Sequence, residues 1–64
     1  MTEKEKSYLE DAIGHEDSII QICSESISYL EDEDLVSFIN EEIKNRSKVK
    51  TKLMKLMEEK ANEW

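Results

Sequence analysis

The chain has 64 residues, of which 39% are charged, with no proline, one glycine and a net charge of −7. That length allows one small domain, residues 1–64, with too little apolar surface to be comfortably stable alone, and the acidic balance sets aside nucleic acid, whose phosphates need a basic face. A single cysteine excludes an internal disulfide and a cysteine-built zinc framework; no apolar run nears the ~20 residues that cross a bilayer, and none resembles a signal-peptide core. A cytoplasmic protein with no membrane partner is expected.

The first helix has a readable start, because Thr2-Glu3-Lys4-Glu5 fits a capping box: the Thr2 hydroxyl takes a free backbone N–H and Glu5 reaches back. Seam positions follow at Leu9, Ile13, Glu16, Ile20, Cys23, Ile27 and Leu30, alternating by four and three residues as in a helix packed along a narrow seam. A second stripe lies one residue earlier, at Tyr8, Ala12, His15, Ile19, Ile22, Ser26 and Tyr29. Together the two stripes make a face too wide for one partner helix to cover. Gly14 interrupts this helix at about 1 kcal/mol relative to alanine, either to allow a close helix approach or as a tolerated defect.

The acidic tetrapeptide Glu31-Asp32-Glu33-Asp34 is the one convincing break. Either Asp32 or Asp34 can cap a second helix, and acids at a helix N-terminus suit its dipole. Leu35, Ile39, Glu42, Arg46, Val49, Leu53, Leu56 and Lys60 then repeat the same alternation, with Val36, Phe38, Ile43, Met54 and Met57 broadening the face. The fold class is therefore all-α: an antiparallel helical hairpin over about 3–30 and 34–62. Two such hairpins packed face to face form a four-helix bundle. Ile19, Ile22, Tyr29, Phe38, Ile43 and Met54 are the expected association face, and Trp64 is large enough to dock on a nearby partner.

Charge is unevenly divided. Residues 1–34 hold eleven acids and two bases, for −9, and residues 35–64 hold five acids and seven bases, for +2. Six bases fall between Lys44 and Lys55 with no acid among them. Such a run brings RNA, DNA and anionic lipid into view; the complementary signs favour a basic face lying beside an acidic first helix.

Reflecting the seam about the turn pairs Leu30 with Leu35, Ile27 with Ile39, Cys23 with Glu42, Ile20 with Arg46, Glu16 with Val49, Ile13 with Leu53 and Leu9 with Leu56. The ends of this ladder are apolar and its middle is not. Glu16, Glu42 and Arg46 fall on consecutive central layers, an expected polar core layer whose best-attested use is fixing register or oligomeric state. An inward carboxylate in a bundle also suggests a carboxylate-bridged di-iron site, which needs a Glu-x-x-His on the facing helix. The facing positions hold Arg46 and Val49, poor replacements for a ligand pair.

Thr2-Glu3-Lys4-Glu5, Leu9-Glu10-Asp11, His15-Glu16, Cys23, Asp32-x-x-Leu35 and Leu53 give the chain a resemblance to the short ferritin-like hairpins of spore-coat (coat-F-like) proteins. The resemblance implies a dimeric, ferritin-like bundle with a spore association. That family's pattern expects histidines near positions 46 and 49. Both are absent, so metal binding and oxidase activity are not carried over, and His15 lies off the main seam. A second, local similarity runs from Asp34 to Ser47, through Ile39, Glu42-Ile43-Lys44 and Arg46-Ser47. It resembles the second helix of the small sporulation inhibitors of sensor histidine kinases, which implies docking on a helical regulatory partner.

Cys23 in the seam reads as a small buried hydrophobe, and Met54 and Met57 as core filler. No nucleophile–base arrangement can be assembled, and so thin a hairpin offers no substrate cleft. The expectation is a non-enzymatic structural or interaction protein that forms a homodimer and needs no cofactor. The alternative is a small inhibitor that presents its apolar face to another protein's helices.

Overall fold

The computed structural model describes residues 1–61; the expected helix end at 62 and the docking of Trp64 lie outside the described residues. Two helices, α1 (Glu3–Ile27) and α2 (Glu33–Ala61), pack against each other as a hairpin. The start of α1 is set by local chemistry. Glu5 N–H donates to the Thr2 hydroxyl at 3.0 Å, and Thr2 N–H donates to the Glu5 carboxylate at 2.8 Å, so both halves of the capping box are made.

The other end of α1 comes three residues earlier than the sequence pattern suggests. The amides of Ser28, Tyr29 and Leu30 each bond a carbonyl three residues back, at 3.0–3.2 Å, which tightens the last turn. The Ser28 hydroxyl also donates to the Glu25 carbonyl at 2.6 Å. No described residue adopts positive φ, so the helix closes without a left-handed cap. Asp32 is the cap of α2: its Oδ1 accepts from Asp34 N–H at 2.9 Å and Leu35 N–H at 3.1 Å. Glu33 and Asp34 occupy the first turn, where the helix dipole favours negative charge.

The inward stripe of α1 is the one its sequence suggests: Leu9, Ile13, Glu16, Ile20, Cys23 and Ile27 are all half-buried. On α2 the inward stripe is instead Val36, Ile39, Ile43, Arg46, Lys50, Leu53 and Met57. Leu35, Val49 and Leu56, expected in the seam, stand exposed at 51%, 40% and 39%. Both sets satisfy the alternation of three and four. The cross-helix contacts select the set that lets Arg46 and Lys50 reach the acids of α1.

Among the described residues none is fully buried. The hairpin measures 49 × 14 × 10 Å with a radius of gyration of 14.8 Å, against about 11 Å for a compact chain of this length. Its accessible surface is 5111 Å², whereas a folded monomer of 7.5 kDa exposes about 4,200 Å². The excess, roughly 900 Å², is about what one partner buries in a standard interface. No described helix is long and apolar enough to cross a membrane.

Candidate functional site: an apolar face bordered by an ionic layer

Two cross-helix ion pairs bracket the seam. Arg46 Nη1 lies 3.4 Å from Glu16 Oε1, and Lys50 Nζ lies 2.6 Å from Asp17 Oδ1. Adjacent residues are about 100° apart on a helix, so Glu16 and Asp17 leave the seam on opposite sides. The two pairs thus define two faces of the hairpin.

Right-handed helices running antiparallel turn in opposite senses. Residues one position before each seam residue therefore project to the same side on both helices. The large apolar ones are Tyr8, Ile19 and Ile22 on α1 and Leu35, Phe38, Val49 and Leu56 on α2, interleaved with Ala12, His15, Ser26, Glu42, Asn45 and Lys52. All seven are among the large apolar side chains that stand exposed, led by Tyr8 at 63%, Ile22 at 62% and Phe38 at 60%. This is the Glu16–Arg46 side. Solitary exposed apolar residues need no explanation, but a contiguous patch marks an interaction site.

Of the expected association residues, Ile19, Ile22 and Phe38 lie on this face, and Tyr29 is exposed in the turn that follows α1. Ile43 is half-buried in the seam, because the inward stripe of α2 runs through it. Met54 is exposed on the other side, where it lines a shallow hollow with Lys6, Glu10, Ile13, Met57 and Glu58.

Glu16, Glu42 and Arg46 form one cluster at the border of the apolar face. Arg46 Nε stands 3.8 Å from Glu42 Oε2, one turn back on its own helix, while Nη1 reaches Glu16 on α1. The long guanidinium side chain contacts Glu16 and not Ile20, the residue that reflection about the turn pairs with it. Glu16 is 13% exposed and Arg46 36%. Glu16 Oε2 is buried and accepts no hydrogen bond. A carboxylate oxygen out of water without a donor costs free energy, and here the hairpin's own atoms cover it.

The opposite face is polar. The Asp17–Lys50 pair, part of neither the seam pattern nor the expected site, is 56% and 32% exposed. The acid of one helix and the base of the other, beside matched layers, are the signal that could have pointed to it. Lys44 pairs with Glu41 on its own helix at 3.6 Å. Lys48 and Lys55 are exposed on the back of α2 beside Ser47 and Thr51.

Gly14 is exposed, and a Cβ built on it would meet nothing within 4 Å. No close helix approach requires it. Cys23 is a half-buried free thiol. Among the described residues, no group of three or more His, Cys, Asp or Glu side chains is placed to hold a metal ion. Chemically the arrangement offers an apolar contact surface with an ionic layer at its border.

No protein-family model matches the chain, and the searches of curated proteins and of solved structures each return no significant match.

Proposed function

We propose that this chain is a small non-enzymatic helical interaction protein, working as a homodimer in which two hairpins join into a four-helix bundle of ferritin-like type. The observation that carries this reading is the gathering of seven exposed large apolar side chains on one face of a hairpin in which no described residue is completely buried. A second copy presents the same apolar stripe and the same ionic layer, so it matches the face in length, width and polarity. The excess surface of the lone hairpin is the size that such an interface removes from water.

A structural role agrees with a shape of 49 × 14 × 10 Å, thin for enclosing a substrate. The spore-coat resemblance supplies the setting for that role. The test is thermal unfolding followed by circular dichroism over a hundredfold dilution series. A dimer's midpoint falls as the protein is diluted. A midpoint independent of concentration, in a fully helical sample, would contradict self-association and turn attention to a different helical partner on the same face.

A further inference from the structure

We propose that the two hairpins pack with their turns at the same end of the bundle, so that α1 of each copy lies beside α2 of the other and Arg46 of one copy donates to Glu16 of the other. This rests on the self-association reading above and specifies its geometry.

Two copies joined through one shared face are related by a two-fold axis lying in the interface. If the axis runs along the helices, both turns sit at one end and each α1 meets the other copy's α2. If it runs across them, the turns sit at opposite ends, α1 meets α1 and α2 meets α2. The charge distribution separates these cases. α1 holds seven acids and two bases, for −5, and α2 six acids and seven bases, for +1, so the crosswise axis sets the acidic helix against its own copy. The lengthwise axis sets it against the basic one.

The central layer makes the same choice at atomic scale. Within one hairpin Glu16 and Arg46 are already at one height, 3.4 Å apart. The lengthwise axis preserves height, so Arg46 of the second copy arrives level with the Glu16 carboxylate. A guanidinium carries five N–H donors in a planar fork, enough to serve a carboxylate on each hairpin. A crosswise axis at that height brings Glu16 toward Glu16 while both leave water, which is the unfavourable juxtaposition.

One feature opposes the lengthwise axis. It gathers two copies of the acidic turn, residues 31–34, at one end. Those side chains are exposed and are screened over about 8 Å at physiological salt, whereas the central layer is desolvated on association. Repulsion at the turn is therefore the weaker effect.

The experiment measures the distance between spin labels at Ser28→Cys in a Cys23→Ser full-length background, with Cys23→Ala as a second background if helicity falls. Ser28 is exposed beside the turn and lies on neither the apolar face nor the ionic layer. The lengthwise axis predicts one label separation below about 30 Å, lost on dilution with unlabelled chain. The crosswise axis displaces the labels by twice twelve residues of ~1.5 Å rise, so a dimer showing about 40 Å overturns the orientation while leaving self-association intact. A helical sample with no intermolecular separation, and the mass of one chain, overturns both.

Discussion

The hairpin has two long faces of opposite character. One side of the seam carries Tyr8, Ile19, Ile22, Leu35, Phe38, Val49 and Leu56 around the Glu16–Arg46–Glu42 cluster. The other carries Asp17, Lys50, Glu10 and Glu58, with Met54 the exposed large apolar residue in their midst. The polar face is finished: its ion pair is made, and water serves the rest. The apolar face is not, because its large apolar side chains meet solvent. A chain that divided its exposed residues evenly between the faces would be a marginal monomer. The proposed dimer makes this one half of a larger core.

Charge placed on the two faces should break the symmetry of that comparison most strongly. Phe38→Asp sets an unpaired carboxylate in the proposed interface, where burial costs several kcal/mol. The dimer dissociation constant should rise at least about 100-fold by analytical ultracentrifugation. Met54→Asp, equally drastic in side chain but on the polar face, should change it less than about threefold. Equal effects would show that the faces are not distinct.

Removing a cation from each side comes next. Arg46→Ala leaves Glu16, 13% exposed, without its partner. A broken buried pair costs ~3 kcal/mol, and the partial exposure of Arg46 reduces this to about 2 kcal/mol in denaturant unfolding. Lys50→Ala removes the shorter ion pair, at 2.6 Å, but a solvated one; its loss should stay below ~1 kcal/mol. If the two variants lose the same stability, distance and not desolvation governs these pairs.

Smaller effects come from backbone positions away from both faces. Gly14→Ala meets open space and should stabilise the chain by about 1 kcal/mol, whereas Thr2→Ala should lose about 1 kcal/mol with its cap. The smallest effect is a pH dependence at the same cap. Hydrogen bonding to the Thr2 backbone N–H, then to its side chain, holds the Glu5 carboxyl below its ordinary value of 4.5, with the nearby N-terminal charge helping. A carboxyl with a lowered folded value stabilises the fold above the unfolded value. It loses that contribution as pH falls through the folded one. The difference in melting temperature between the native chain and Glu5→Gln should therefore be constant near neutrality and shrink below about pH 4.5.

Much of this fold is legible in the sequence, because its signals are local. Thr2 with Glu5, the alternating seam of α1 and the acidic turn each act within a few residues. The face of α2 is different. Leu35, Val49 and Leu56 compete with Val36, Ile43 and Met57 for the inward position, and one residue of rotation separates the two sets. Only contact with α1 decides between them, and it puts Val36, Ile43, Lys50 and Met57 inward. Ile43 and Met54 are therefore readable as apolar but not as belonging to the seam and to the polar face. The role of Gly14 is hidden for a related reason, since the space beside it depends on where the other helix runs.

The central claim is that the apolar face is covered by a second copy, and molar mass in solution tests it most directly. Sedimentation equilibrium of the full chain at micromolar concentration and physiological salt should return twice the 7.5 kDa chain mass. The mass should fall toward one chain on dilution, or when Phe38 is replaced by Asp. A helical sample that stays at the mass of one chain through the high-micromolar range would contradict the account.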